Sequence, residues 1–436
     1  MDKVKRKSLT CGLLLMSFIL LTVPFVASAE SYDYPLKDPL TATILSTPVA
    51  DRARLPKTIS AKYYQTIDIF PDRVIPEVFW YNNKLRYSVA AHKEQAPLIF
   101  MIAGTGAGYD SGKMKMMQKA FFQAGFHVIA LSSPTHPNFI VAASSSRMPG
   151  DINSDAKDLY RVMEMIIAQE KLRPLVSVFY LTGYSLGGSQ AAFIAQLDEQ
   201  RRSFKFKKVL MINPALNIFD SAIKIDKMLE DNLPGGMEGL DAFYAKLVHN
   251  ITVAYVVGDF VDLSHGFFYS AYNDILPGQA ERAAVIGISF RISLSNLLFT
   301  ADVMTRSGYI VPAELNLSAT DSLTEYAKSV IYKNGFSEYV ENIIYPVYRA
   351  KYPGLSLREL VDRSSLRVLE EYLRKSPKIG LVTNRDDFIL ADGDIEYFQK
   401  IMGARVKIYP RGGHCGNMGY KDNVVYMVNF FKESGK

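Results

Sequence analysis

The chain of 436 residues is poor in cysteine and tryptophan, with two cysteines and one tryptophan. Cys11 lies in an apolar segment at the N-terminus, so removal of that segment would leave Cys415 alone. A lone cysteine excludes an intramolecular disulfide, and it also excludes a metal site built from cysteines. The compartment must therefore be inferred from the N-terminal segment.

The sequence also lacks a strong excess of one charge. The net charge is +6, and half of it comes from the first seven residues, "MDKVKRK". The rest of the chain has no dense basic stripe, which argues against nucleic-acid binding. Hydrophobic residues make up 48% and charged residues 22%, a balance typical of globular proteins. No stable protein partner is indicated.

Phosphate-binding motifs are missing from the most glycine-rich loop, "IAGTGAGYDSG" at 102–112. A P-loop would need glycine at Ala107 and serine or threonine at Met114, and a dinucleotide motif would need glycine at Tyr109. We therefore expect no nucleotide, and nothing in the sequence implies a metal or an organic cofactor.

The N-terminus has the pattern of a secretory signal peptide over 1–29. A basic start precedes the apolar run "CGLLLMSFILLTVPFV", and the small residues "ASA" end at Ala29. An uncleaved membrane anchor is the alternative, but Pro24 and the A-x-A ending favour cleavage before Glu30. No later apolar run reaches the ~20 residues needed to span a bilayer. We expect an exported protein, periplasmic or secreted, of bacterial origin.

The order of apolar runs predicts an α/β architecture. Residues 30–60 are irregular and predict an N-terminal arm, whereas strand and helix patterns alternate over 61–214 and again over 377–436. Such alternation predicts a mostly parallel sheet flanked by helices. Residues 215–376 are mainly helical in pattern and too long for a loop, which predicts a helical cap or lid insertion.

The stretch "LTGYSLGG" at 181–188 contains the candidate nucleophile, Ser185. It follows a strand-like run and precedes a helical one. The pattern G-x-S-x-G in that context indicates a serine on a sharp strand-to-helix turn, exposed at the carboxyl end of the sheet. We expect Gly183 and Gly187 to permit close packing around the turn.

A serine nucleophile requires a base and a carboxylate that orients the base. His414 lies in the glycine-rich loop "PRGGHCGNM" between the last strand and the last helix, which fits the chain order serine, acid, histidine. The preceding segment "LVTNRDDFIL" offers Asp387 as the acid and Asp386 as an alternative. Asp259 and Asp262 in the insertion are weaker candidates, because no helix, strand and histidine follow them in order. We expect kcat/KM to fall at acid pH with an apparent pKa of ~6–7.

An oxyanion hole requires two backbone N–H groups. Leu186, directly after the nucleophile, is expected to supply one of them. The loop after the third strand is expected to supply the other, from Thr105 or, as second choice, Gly106.

Together these motifs resemble the α/β-hydrolase fold serine hydrolases of the esterase and lipase kind, over about 60–214 and 377–434. The resemblance implies Ser185 as nucleophile, Asp387 as acid, His414 as base, and an oxyanion hole at Thr105 and Leu186. It implies a small-molecule ester or lipid-like substrate. The loop "AGTG" departs from the family pattern, because Ala103 stands where many relatives have histidine. A peptidase or an acyltransferase of the same fold, and a noncatalytic binding protein, remain alternatives.

Overall fold

The computed structural model describes residues 32–246, 278–333 and 335–432. The predicted signal peptide at 1–29 and the candidate acids Asp259 and Asp262 lie outside the described residues.

Eight strands form one sheet in the order β1-β2-β4-β3-β5-β6-β7-β8. The strand β2 pairs antiparallel with β1 and β4, and every pair from β4 through β8 is parallel. The strands are β1 Ala61–Ile67, β2 Leu85–Ala90, β3 Ala96–Ile102, β4 His127–Leu131, β5 Val176–Tyr184, β6 Lys208–Ile212, β7 Ile379–Asn384 and β8 Val406–Tyr409. Every residue of β4 and β7 is buried, as expected for strands of a parallel sheet that helices cover on both faces.

Helices cover both faces of the sheet. The helices in this part of the chain are α1 Pro39–Leu45, α2 Gly112–Gln123, α3 Pro137–Ala142, α4 Ile152–Gln169 and α5 Leu186–Arg201. Alternate strand residues face opposite sides. Phe179 and Leu181 pack in the cluster that contains residues of α4 and α5, whereas Tyr180 contacts Phe431 of the C-terminal helix on the other face. The predicted mostly parallel sheet with helices on both faces is confirmed.

The described residues between β6 and β7 contain helices and no strand. These helices are α6 Ile218–Glu230, α7 Gln279–Thr305, α8 Thr324–Lys333, α9 Phe336–Tyr339, α10 Tyr345–Lys351, α11 Leu357–Arg363 and α12 Glu370–Lys375. The core ends with α13 Asp394–Met402 and α14 Lys421–Lys432.

The helix α7 is long and apolar enough to cross a membrane, but it packs inside the insertion. Its residues Leu294, Leu297 and Leu298 share a buried cluster with Phe219 of α6. Arg291 of α7 is 1% exposed, and it donates hydrogen bonds to Asp226 at 2.5 Å and to Glu230 at 2.8 Å. Burial therefore explains the apolar length of this helix.

The N-terminal arm packs against the loop between β8 and α14. The sequence indicates an irregular arm, yet a short helix, α1, forms there because Pro39 begins it and the Asp38 carboxylate accepts the N–H of Thr41 at 2.8 Å. The Thr47 hydroxyl donates to the carbonyl of Gly416 at 3.1 Å. The arm therefore lies against the segment that contains His414.

Candidate active site

Ser185 occupies the turn between β5 and α5. Its φ of +56° lies in the left-handed region, which costs a non-glycine residue about 1–3 kcal/mol. The turn is held by the Ser185 N–H, which donates to the carbonyl of Ile212 on β6 at 2.9 Å. The strain is therefore retained by hydrogen bonding at the carboxyl edge of the sheet.

The two glycines of the motif are required by close contacts. A Cβ on Gly183 would lie 2.2 Å from the carbonyl oxygen of Gly187, and a Cβ on Gly187 would lie 2.4 Å from that of Ile102. Real Cβ atoms do not approach oxygen so closely. The expectation that these glycines permit close packing around the turn is confirmed.

The structure brings Ser185, His414 and Asp387 together in a hydrogen-bonded row. Nε2 of His414 lies 2.9 Å from the Ser185 hydroxyl oxygen, and Nδ1 lies 3.0 and 3.1 Å from the two carboxylate oxygens of Asp387. The Asp387 side chain is fully buried. When the Nδ1–H donates to Asp387, the lone pair of Nε2 faces the serine hydroxyl.

A serine on a strand-to-helix turn, at the carboxyl edge of a mostly parallel sheet covered by helices on both faces, defines a single fold. The chain has the α/β-hydrolase fold. Its acid and histidine candidates follow β7 and β8, in the chain order that this fold uses.

Solved structures of α/β hydrolases resemble the chain at low identity. Est1E from Butyrivibrio proteoclasticus is 11% identical, with 84% of this chain and 99% of that chain covered and a TM-score of 0.36. An esterase of Pyrococcus furiosus is 9% identical, with 87% and 97% covered and a TM-score of 0.42. The proline iminopeptidase of Mycobacterium smegmatis is 11% identical, with 85% and 97% covered and a TM-score of 0.40. The fold is established by this chain's own sheet order and by the turn at Ser185.

No protein-family model and no curated protein sequence matches this α/β-hydrolase chain.

Asp386, the alternative acid, points to a different partner. Its carboxylate accepts the N–H of Gly412 at 3.1 Å and the N–H of Gly413 at 2.9 Å. The side chain that contacts His414 is that of Asp387. The Asp386 side chain therefore holds the loop that contains His414 by bonding to the backbone of that loop.

The candidate oxyanion donors differ in their hydrogen bonding. Gly106 donates its N–H to the hydroxyl oxygen of Thr135 at 2.8 Å, so this donor is already engaged. Leu186 is the first residue of α5, and the N–H of a first helical residue has no partner inside the helix. Thr105 and Leu186 line the same cavity as Ser185, which favours Thr105 over Gly106.

That cavity, called here the Ser185 cavity, has a volume of about 70 Å³ and a mainly apolar wall. The core supplies Ile152 and Ile389, and the insertion supplies aromatic and leucine side chains, among them Phe219, Phe290, Leu294 and Phe336. The helical insertion therefore forms part of the wall beside the candidate nucleophile. An apolar group attached to a carbonyl carbon at Ser185 would be buried here.

Two further residues position the row, and neither was identified from the sequence. Asn213, at the end of β6, donates its side-chain amide to Asp387 at 2.8 Å and has a φ of +44°, a region that asparagine tolerates. Thr43 of α1 accepts the backbone N–H of His414 on its hydroxyl oxygen at 2.9 Å. The only sequence signal for Asn213 is its place directly after a predicted strand, and Thr43 has none.

The surroundings of His414 change its acid–base behaviour. Burial by itself lowers the pKa of the imidazole, but the Asp387 carboxylate and the neighbouring Cys415 together outweigh burial and raise the pKa above the usual 6.5. The value of ~6–7 expected for kcat/KM from the sequence does not include these contacts, which act to raise it. The row can accept a proton from the serine and stabilise the resulting imidazolium.

Proposed function

We propose that this α/β hydrolase cleaves carboxylic esters through an acyl-enzyme on Ser185. The observation that carries the proposal is the row of hydrogen bonds from Ser185 through His414 to Asp387 at 2.9 and 3.0 Å. A serine hydroxyl becomes a nucleophile only when a base within hydrogen-bond reach takes its proton. The strained turn at Ser185 and the adjoining cavity support the same assignment.

The reaction begins when the Ser185 oxygen attacks the ester carbonyl carbon while its proton moves to Nε2 of His414. The carboxylate of Asp387 stabilises the imidazolium. We assign the oxyanion hole to the backbone N–H groups of Thr105 and Leu186, and the positive end of the α5 dipole adds to it. The imidazolium then protonates the leaving alcohol, and the acyl group stays on the serine.

The second half of the reaction releases the acyl group. A water molecule attacks the acyl carbon while His414 takes its proton, and the same proton returns to the Ser185 oxygen when the tetrahedral intermediate breaks down. The apolar wall of the Ser185 cavity favours an apolar acyl or aryl group on the ester. We assign residues 215–376 the role of a cap that selects this group.

We also propose that the protein is exported and that its signal peptide is cleaved after Ala29. The support is the basic start, the apolar run and the small-residue ending in the sequence. N-terminal sequencing of the protein isolated from the periplasm or medium of an expressing bacterium should begin at Glu30. Recovery of the intact N-terminus in the membrane fraction would contradict export by cleavage.

The ester assignment is tested with p-nitrophenyl esters of two to sixteen carbons, run beside amide substrates and added alcohol acceptors. We expect hydrolysis of a limited range of chain lengths, with release of free acid. Equal rates at all lengths would refute an apolar pocket as the selective element. Faster cleavage of amides, or transfer of the acyl group to the added alcohol in preference to water, would favour a peptidase or an acyltransferase.

A further inference from the structure

A buried carboxyl group interrupts the apolar wall of the Ser185 cavity. Asp155 lines this cavity and is only 4% exposed. It stands in the first turn of α4, where its Oδ2 accepts the N–H of Gly150 at 3.2 Å. Among the described residues, none makes a hydrogen bond to Oδ1. Half of this carboxyl group is therefore available to a molecule in the cavity.

The other buried polar side chains of the wall already have protein partners. Thr135 accepts the N–H of Gly106, the Ser221 hydroxyl donates to the carbonyl of Ile389 at 2.8 Å, and the Tyr339 hydroxyl donates to the carbonyl of Pro149 at 2.6 Å. Asp155 differs from these neighbours because only one of its two carboxyl oxygens is bonded to the protein, which leaves the other for a ligand.

The protonation state of Asp155 narrows the chemistry of that ligand. Burial raises the pKa of this carboxyl well above its ordinary value, and the nearby charges of Asp151 and Asp158 add to the effect, while the Gly150 N–H opposes it. A neutral carboxyl group can donate one hydrogen bond and accept others. A hydroxyl group has the same two capacities, whereas an ammonium group would require the ionised form.

We propose that the Ser185 cavity takes an ester with an apolar body and one hydroxyl group, and that Asp155 binds this hydroxyl. The inference rests on the proposed function, because it is the ester carbonyl at Ser185 that places the rest of the substrate in the cavity. Of two esters of the same length, the enzyme would then cleave the one with the hydroxyl group at the higher kcat/KM. This selectivity adds one polar contact to the preference for an apolar group.

The test measures kcat/KM for matched pairs of p-nitrophenyl esters with and without a hydroxyl group at successive carbons of the acyl chain. A second set carries the hydroxyl group on the alcohol side, because the geometry of Asp155 alone does not distinguish the two sides. We expect at least one hydroxylated ester to exceed its plain partner by about tenfold, the effect of one good hydrogen bond of ~1.4 kcal/mol. Asp155→Leu should reduce that ratio to about one.

The matched control is Asp155→Asn, which keeps the shape and the capacity both to donate and to accept. We expect it to keep most of the preference for the hydroxylated ester. The ratio within a variant does not depend on its overall activity, and thermal unfolding shows whether each variant is folded. If the leucine variant does not fold, the ratios measured for the wild type and for the asparagine variant still test the inference.

Several results would overturn the inference. A wild type that prefers none of the hydroxylated esters would overturn it without any variant. A larger preference for ammonium-bearing esters that Asp155→Asn abolishes would show an ionised carboxylate and would also overturn it. Labelling of wild-type Ser185 by a fluorophosphonate separates the two proposals. Labelled enzyme without a hydroxyl preference refutes only this inference. Folded enzyme that stays unlabelled, even after the insertion has been opened by limited proteolysis, refutes the proposed function.

Discussion

Substitution of Thr43 by valine tests whether the N-terminal arm positions the candidate base. The Thr43 hydroxyl oxygen accepts the backbone N–H of His414 at 2.9 Å, across 371 positions of the chain. Valine has nearly the same shape but no hydroxyl group. The change therefore removes the bond to His414 and also the bond that the hydroxyl donates to the carbonyl of Pro39 within α1, at 2.7 Å. We expect the histidine loop to leave its reactive position more often, which lowers kcat/KM.

The size of the effect follows from the other supports of the loop. An N–H that loses its acceptor in a buried site costs about 1–3 kcal/mol, which would reduce activity roughly fivefold to more than a hundredfold. His414 is partly accessible, and Asp386 and Asn384 bind the neighbouring backbone at Gly412 and Gly413. These bonds remain in the variant, so we expect the lower end, about fivefold.

The assay compares Thr43→Val with Thr41→Val on the same helix. The Thr41 hydroxyl donates to the Asp38 carboxylate at 2.5 Å, a contact within the start of the arm rather than with the histidine loop. Ester hydrolysis gives kcat/KM, and thermal unfolding gives the stability of each variant. Equal loss of activity in both variants at equal loss of Tm would refute the positioning role, because it would show a general loosening of the arm.

Three other changes have distinct expected results. Because Asp387 and Cys415 together raise the pKa of His414, the acid limb of kcat/KM should lie above pH 6.5. Asp387→Asn removes the larger of these two raising contributions, so the residual pH–rate profile should shift to lower pH, and an unshifted limb would contradict this. Gly187→Ala should yield no folded active protein, while Gly112→Ala, whose Cβ meets open space, should keep its Tm and activity. Arg291→Met leaves its buried carboxylate partner unpaired and should lower the free energy of unfolding in urea by about 3–5 kcal/mol, and a loss below 1 kcal/mol would show that the pair is dispensable.

The sequence was most informative where one local pattern determines one local structure. Unbroken apolar runs predicted the buried parallel strands, and Gly183, Ser185 and Gly187 predicted the strained turn, because few other residues fit its close contacts. The order of motifs singled out His414 and Asp387, and the structure brings both to Ser185. Each of these patterns involves residues that are close together in the sequence.

Contacts between distant segments were not predictable in this way. The residues 30–60 showed no pattern beyond an arm, and only the folded chain places Thr43 on the His414 backbone. The acid Asp155 has the ordinary sequence context of a first helical turn, where acids are common. Its place in a cavity wall depends on how α4 meets the insertion, and the raised pKa of His414 likewise depends on the contact with Asp387.

The most direct test of the central claim is labelling of the purified mature protein with a fluorophosphonate probe, beside Ser185→Ala and His414→Ala. We expect the wild type to be labelled on Ser185, and we expect neither variant to be labelled. Folded wild-type protein that stays unlabelled, even after the insertion has been opened by limited proteolysis, would contradict a serine nucleophile activated by His414. It would favour a noncatalytic binding protein of the same fold.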